Sequence, residues 1–303
     1  MLQSASINCD VIIVNYNVGK LLVDCVRSAL SEGVRRVVVV DNASHDGSVG
    51  YLESAVSDQR LCIIRNDANL GFAAACNVGI RACEADALLF LNPDCVLAAG
   101  SLPRMMDVLA NNSEAGMVGG LLCNPDGSEQ PGGRRLFPTP KRAFMRAFGL
   151  SRLSRLFPSV CSDFLLHQEA LPGVPVAVEA ISGACMLVKR EALKDVGLWD
   201  EGYFLHCEDL DWCMRFQLKA WQIVFVPDAP VMHAWRACSR NRPFFVEWHK
   251  HRGMLRFYRK FFRQHHAGFL WWLVVSGVWL RFGLVSAYHA VRLPARRLGG
   301  GRV

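Results

Sequence analysis

Over the first 97 residues, short unbroken apolar runs alternate with longer stretches in which apolar side chains recur every three or four positions. The runs at 9–14, 34–40, 61–65 and 87–91 lack the polar alternation of a half-exposed strand, so they read as strands covered on both faces. The stretches between them, to about residue 32, at 47–56 and at 72–83, read as helices. Such alternation predicts an α/β fold: a mostly parallel, doubly wound sheet with helices on both faces. A helix at 102–110 and a strand at 116–122 extend it. From 124 to 175 the periodicity degrades. Pro125, Gly127, Pro131, Gly132, Gly133, Pro138 and Pro140 lead into a basic helical patch at 141–155, which suggests an excursion over the sheet edge. Order resumes with strands at 176–182 and 184–188, a helix from near Asp209 to 220, a strand at 222–226 and a strand-like run at 229–232.

Open α/β sheets bind ligands outside the carboxyl ends of their strands, so the polar residues there come first. Asn92-Pro93-Asp94 stops the most central run. Proline cannot donate to a ladder and fixes its own φ, which holds Asp94 at a defined place past the strand. A plain strand exit with a turn aspartate would read the same way. Asp41 closes the second strand, and in the polar run that follows Asp46 is suited to cap the next helix. A carboxylate at position 41 can accept a hydrogen bond from a nucleobase imide or bind a ribose hydroxyl. A dinucleotide fold is excluded at the first turn, where Asn15-Tyr16-Asn17-Val18-Gly19-Lys20 has one glycine and G-x-G-x-x-G is required. Between Asn69 and Gly79, small residues would let a helix start pack beneath a ligand phosphate with free N–H groups. Close helix-to-sheet packing selects the same residues.

The C-terminal part differs in kind. Residues 268–280 carry no charge and include Trp271, Trp272 and Trp279; Arg281 interrupts, and 282–290 is again mostly apolar. A membrane span takes about 20 apolar residues, so this one spans only if Arg281 snorkels. Both flanks are basic, with Arg259, Lys260 and Arg263 before it and Arg292, Arg296 and Arg297 after it, whereas a span prefers its positive flank on one side. The expectation is an interfacial or re-entrant helix on the cytoplasmic leaflet with tryptophans at headgroup depth; a helix buried on the core or in a dimer is the alternative.

Charge sharpens that picture. Of 34 lysines and arginines and 27 acids, fourteen of the former and only Glu247 of the latter lie in residues 234–303. Such a tail calls for an anionic membrane or nucleic acid, and its tryptophan-rich apolar run suits lipid better than bases. No nucleic-acid partner is expected. The 12 cysteines include no C-x-x-C pair and sit mostly in apolar runs, the usage of a reducing compartment. The start of the chain lacks a basic-then-apolar leader, so the catalytic part is expected in the cytoplasm.

Taken in order, Val14-Asn15-Tyr16-Asn17, the run Asp41 to Ser48, Asn69-Leu70-Gly71-Phe72 with Asn77 and Gly79, Asn92-Pro93-Asp94, Ser182-Gly183-Ala184, the segment Gly197 to Phe204 and Glu208-Asp209-Leu210-Asp211-Trp212 resemble the family 2 inverting glycosyltransferases. Within that family the rhamnosyltransferase-like members of bacterial polysaccharide biosynthesis are the nearest in look. The resemblance covers about residues 8–260. It implies a GT-A catalytic domain over 1–263, with a nucleotide-sugar half to about 122 and an acceptor half over 123–263, followed by a membrane-associating segment, 264–303.

Residue by residue, the resemblance implies a nucleotide-sugar site at Asn15, Asn17, Asp41, Asn69, Gly71, Asn77 and Asn92, with Asp41 on the nucleobase. It gives Asp94 to a Mg²⁺ or Mn²⁺ ion on the donor diphosphate, where a hard cation neutralises the leaving group. It makes Asp209 the general base that takes the acceptor hydroxyl's proton. Glu208 and Asp211 are neighbouring candidates, since repulsion among three acids can raise one pKa; an acidic first helical turn is the structural alternative. Asn92 stands where many GT-A enzymes carry the first acid of Asp-x-Asp. His233 stands where related enzymes present a metal-binding histidine, although a satisfied polar histidine reads the same way. Trp199 and Trp212 suit either stacking on sugars or packing. The implied reaction moves a sugar, L-rhamnose from dTDP-rhamnose, to a glycan or lipid-linked acceptor at the cytoplasmic face of the inner or plasma membrane. A catalytically silent GT-A scaffold for partner enzymes is the rival, and the complete Asp41, Asp94 and Asp209 set speaks against it.

Overall fold

A computed structural model describes residues 8–142, 164–234, 242–265 and 268–299. The four apolar runs form β1 (Cys9–Asn15), β2 (Arg36–Asp41), β3 (Leu61–Arg65) and β4 (Ala87–Leu91), joined by α1 (Leu21–Ser31), α2 (Ser48–Ala55) and α3 (Phe72–Arg81). They lie parallel in the order β3-β2-β1-β4. Every residue of β1 and β4 is buried, as unbroken apolar runs require.

Beyond β4 the doubly wound sheet becomes mixed. β10 (Cys185–Lys189) runs antiparallel between β4 and β6 (Ala115–Cys123). The excursion after β6 keeps the chain at the carboxyl edge, so β10 starts there and runs back without a crossover helix. β11 (Gln222–His233) is parallel to β6 and antiparallel to both β5 (Cys95–Leu97) and β8 (Val176–Ala177). The runs at 222–226 and 229–232 are thus one strand, with a register shift between Val226 and Pro230. The run at 176–182 is instead broken into β8 and β9 (Ala180–Ile181), and β9 pairs with β7 (Arg134–Arg135) of the excursion. Except for Lys141 and Arg142, the basic patch at 141–155 falls within or against residues outside the description.

Two apolar layers flank the sheet. One is built on α1, α2 and α4 (Ser101–Asn111), with Leu22, Val26, Leu52, Leu102 and Met105. The other is built on α3, α5 (Arg190–Val196), α6 (Glu208–Leu218) and α7 (Pro243–Phe261), with Cys76, Leu193, Trp212, Phe216 and Phe257. α7 reaches the catalytic part closely at Gly253, where a Cβ would stand 2.6 Å from the His206 carbonyl oxygen. α8 (Gly268–Gly299) passes through Arg281 without a break and is long and apolar enough over Gly268–Val291 to cross a membrane. It is neither re-entrant nor buried in the core: Val278 is buried, but Phe269, Trp272, Leu273 and Leu280 are 61–70 % exposed.

Candidate active site

The carboxyl ends of β1 and β2 stand side by side, with Asn15 opposite Asp41 in register. The Asn15 amide nitrogen lies 2.7 Å from Asp41 Oδ1, 2.8 Å from Ser48 Oγ and 3.1 Å from Ser44 Oγ. The Ser44 N–H donates to Asp41 Oδ2 at 3.1 Å. Asn17 adopts a left-handed backbone, φ 54°, a conformation asparagine tolerates. From there it receives the His45 N–H at 2.8 Å and donates its own N–H to Ser44 Oγ at 3.0 Å. These bonds lace the first two loops together around Asp41. Asp41 keeps a lone pair on each oxygen, and Asn15 Oδ1 beside it is a buried acceptor without a donor. That arrangement fits a ligand N–H or hydroxyl. Asp46 receives the Gly19 and Ser48 N–H groups at 2.7 and 3.0 Å; burial opposes ionisation, but these bonds hold its pKa below the usual carboxylate value.

At the start of α3, two of the N–H groups that the small residues suggested for a ligand are already taken. The Phe72 N–H donates to the Phe204 carbonyl at 2.9 Å, and the Gly71 N–H to Asn69 Oδ1 at 2.9 Å. Gly71 is required there, since φ is 87° and a Cβ would lie 2.7 Å from the Phe204 oxygen. Asn77 donates to the Trp199 carbonyl at 3.0 Å and to Glu201 Oε1 at 2.8 Å, and accepts the Trp199 N–H at 3.1 Å. Asn69, Gly71 and Asn77 therefore fasten α3 to the 197–204 segment, and both N–H groups of Asn77 are committed. Trp199 and Trp212, 2 % and 0 % exposed, pack on each other at 4.0 Å and on Phe90. Packing is their role.

At the end of β4, Asp94 is buried rather than exposed, and β11 brings His233 beside it, opposite Cys95 in register. His233 Nε2 lies 3.2 Å from Asp94 Oδ1. Gln130, 2 % exposed, clamps the histidine twice. Its Oε1 is 2.7 Å from Nδ1, and its Nε2 donates to the His233 carbonyl at 2.9 Å. An amide oxygen can only accept, so Nδ1 carries a proton, and Nε2, the nitrogen facing Asp94, is the one that can offer a lone pair to a cation when the ring is neutral. A carboxylate oxygen and an imidazole lone pair facing each other fit a divalent cation. Cys95 Sγ is close by, but burial pushes its thiol well above the usual value, and it donates to the Ala184 carbonyl at 3.5 Å. A neutral thiol is no ligand for a hard cation. The Asn92 backbone ties this corner to Ala184 at 2.9 Å, while its side chain makes no hydrogen bond among the described residues.

The three acids opening α6 have separate environments. Asp209 Oδ2 receives an ion pair from Arg135 and the Gly183 N–H at 3.2 Å; Oδ1 receives the Leu210 N–H at 2.8 Å. Oδ1 thus retains the one open acceptor position on that carboxylate. Glu208 is buried with Oε2 unpartnered, and burial together with the Asp209 charge pushes it up to about 8. Asp211 is fully buried, with Oδ1 taking Arg215 Nε at 2.7 Å and Oδ2 taking Lys260 Nζ at 2.6 Å and the Tyr203 hydroxyl at 3.2 Å. Its environment, closed to solvent between two cations, is that of an anchor between α6 and α7. His206 and Cys207, at φ 68° and 70°, form the strained turn that aims the start of α6. Gln130 and Arg135 escaped the sequence reading because both lie in the aperiodic excursion, where glycine and proline signal turns but no spacing marks a partner.

An α/β sheet of this order, with Asp41, Asp94 and Asp209 gathered from different elements around its carboxyl edge, defines the class of GT-A glycosyltransferases. The sequence matches the Glycosyl transferase family 2 profile over residues 10–197, and the chain belongs to that family. It is similar to the N-acetylglucosaminyl-diphospho-decaprenol L-rhamnosyltransferase of Mycobacterium tuberculosis, with 31 % identity over 86 % of this chain and 85 % of that protein. It is also similar to rhamnosyltransferase WbbL of Escherichia coli, with 27 % identity over 56 % and 60 % of the two chains. Among solved structures, mannosyltransferase PcManGT of Pyrobaculum calidifontis, in complex with GDP-Man and Mn²⁺, superposes with a TM-score of 0.57 over 98 % of this chain and 76 % of that one, at 17 % identity. GalNAc-T7 with UDP, GalNAc and Mn²⁺ gives 0.54 over 76 % and 44 %, at 16 % identity. These likenesses are of fold. The protein is a glycosyltransferase, and the silent-scaffold alternative finds no support.

Proposed function

We propose that this glycosyltransferase moves L-rhamnose from dTDP-rhamnose to a lipid-linked glycan acceptor, with inversion at the anomeric carbon, in the synthesis of a cell-surface polysaccharide. The similarity to a decaprenol-linked rhamnosyltransferase over most of both chains supports the sugar and the acceptor class. The single observation that carries the mechanism is the contrast in access and charge among the acids. Asp41 and the Asp94–His233 pair keep acceptor capacity on the donor side, Asp209 stays 14 % exposed with a position open on Oδ1, and Asp211 is shut from solvent between Arg215 and Lys260.

In this reading Asp41 and the Asn15 carbonyl take the hydrogen-bond donors of the nucleotide. Asp94 and His233 would hold Mg²⁺ or Mn²⁺, with the amide of Asn92, two residues before Asp94, as a further candidate oxygen. Such an ion, when bound, neutralises charge on the leaving diphosphate. Arg135 and Gly183 fix Asp209 so that Oδ1 accepts the proton of the acceptor hydroxyl as that oxygen forms its bond to the anomeric carbon and the diphosphate departs. Glu208, uncharged over much of the neutral range, leaves Asp209 as the base. Residues 1–263 form the catalytic unit. Residues 264–303 hold it to the cytoplasmic face of the membrane. The test is to incubate the protein with a panel of nucleotide sugars, each metal and a polyprenyl-diphosphate glycan, following nucleoside diphosphate release and the anomeric configuration of the product by NMR. Release with dTDP-rhamnose and inverted product is expected; turnover with another donor alone overturns the assignment of rhamnose.

A further inference from the structure

The exposed side of α8 has no counterpart in the chemistry so far. Phe269, Trp272, Leu273, Leu280, Leu284 and Val291 stand 61–78 % exposed along one side of the helix, over about 33 Å at 1.5 Å per residue. Arg281 is the one charged residue between Gly268 and Val291, and its guanidinium reaches back to His251 Nε2 at 3.2 Å. His251 is fully buried, and its Nδ1 donates to the Glu247 carbonyl at 2.6 Å, so Nε2 accepts. The charge that sequence alone would have snorkel to a membrane surface is held by the neighbouring helix.

α8 runs antiparallel along α7 for most of its length. Phe244 meets His289, Trp248 meets Trp279 and Phe282, and Arg263 lies over Trp271. The opposite side of α7 is fixed to the catalytic part through Gly253 against His206, Phe257 against Phe137 and Lys260 against Asp211. For α8 to stand across a bilayer it would leave this partner or draw α7 into hydrocarbon. α7 carries Lys250, Arg252, Arg256, Arg259 and Lys260, cations that hydrocarbon strongly disfavours.

We infer that α7 and α8 together dock in the plane of an anionic lipid leaflet, with the apolar side of α8 and Phe244, Phe245 and Trp248 of α7 at the headgroup boundary. The occupant is lipid because an uncharged side this long is bordered by exposed Arg252, Arg259 and Arg263, which complement anionic headgroups. The leaflet then lies beside the turn that aims Asp209, so an acceptor reaches the base with its lipid still in the membrane. This deepens the proposed function and rests on its reading of a lipid-linked acceptor.

The test uses the full chain on vesicles of phosphatidylcholine and phosphatidylglycerol, with a fluorinated phenylalanine placed in turn at positions 269, 280 and 291. Relaxation by dissolved oxygen and by aqueous Ni²⁺ reports the depth of each. Equal shallow depths at all three are expected. A deep position 280 between shallow 269 and 291 means a span and overturns the inference, as does shielding from both agents without lipid, which means a second copy of the chain covers the face. Arg252→Gln with Arg263→Gln should lower partitioning onto these vesicles about thirtyfold, at roughly 1 kcal/mol per cation, and leave neutral vesicles unaffected; unchanged partitioning would remove the electrostatic part. Nucleoside diphosphate release with a soluble acceptor is followed in parallel, so a failure of the catalytic reading shows separately from a failure of docking.

Discussion

Asp41 and Asp211 are both buried aspartates next to the cleft, and their surroundings are opposite. Asp41 is held by two neutral donors, the Ser44 N–H and the amide of Asn15 on the adjoining strand, and each of its oxygens can still accept. Asp211 is held by Arg215, Lys260 and Tyr203, two of them cations, and is wholly shut from solvent. The donor side of the edge is thus a set of acceptors fixed by neutral groups, and the α6 side a network of charges. Asp209 stands between the two, anchored by Arg135 yet 14 % exposed and open at Oδ1. A carboxylate's place in a motif does not tell its work; its partners and its access do.

The largest effect that would break this contrast concerns Asp209. Asp209→Asn keeps the shape but not the basicity, so the rate constant for transfer should fall by about 10²–10⁴-fold. The melt should be recorded alongside, because Arg135 loses its counter-charge. Next in size, Asp211→Asn should act on folding: it takes the counter-charge from Arg215 and leaves Lys260 with Asp200 alone, and it should cost about 3 kcal/mol in urea unfolding, at the low end for a broken buried pair because Lys260 keeps Asp200 and stays 34 % exposed. A rate loss with unchanged stability would place Asp211 in the chemistry.

Gln130 comes third. Gln130→Met removes the acceptor that sets the His233 tautomer, and Mn²⁺ affinity, read by electron paramagnetic resonance, should fall about 10–100-fold. Gln130→Glu keeps an acceptor and should hold affinity. Equal losses in both would make Gln130 a packing residue.

The smallest effect is at Glu208. Burial raises its native pKa to about 8, above the ordinary carboxyl value, so the native state holds a proton that the unfolded chain releases. Its contribution is full in acid and declines as pH rises through about 8. Glu208→Gln should therefore flatten the fall of stability between about pH 5 and 8. A slope unchanged by the substitution would contradict the burial of an unpartnered acid.

The parallel half was legible because β1 to β4 are apolar runs whose strand ends carry the polar residues, and that pattern is local. The places of Asp41 and Asp94 past their strands were legible for the same reason, whereas His233 became a candidate through the resemblance. What escaped depends on long-range partners. The resemblance placed Asn77 in the nucleotide-sugar site, and only its bonds to Trp199 and Glu201, more than 120 residues away, show what its side chain holds. Arg281 looked like an interruption of a span until the α7 histidine beneath it came into view. β10 was legible as a strand but not in its direction, which depends on the edge the excursion returns from and is recorded in no periodicity.

The division of labour between donor side and base can be measured in one protein. Asp209→Asn should bind dTDP with Mn²⁺ in calorimetry as the unsubstituted chain does, within about twofold, while its single-turnover transfer from saturating dTDP-rhamnose falls at least about a hundredfold. Nucleotide affinity falling in step with the rate, or transfer persisting near its original rate, would contradict the assignment of Asp209 to proton removal alone.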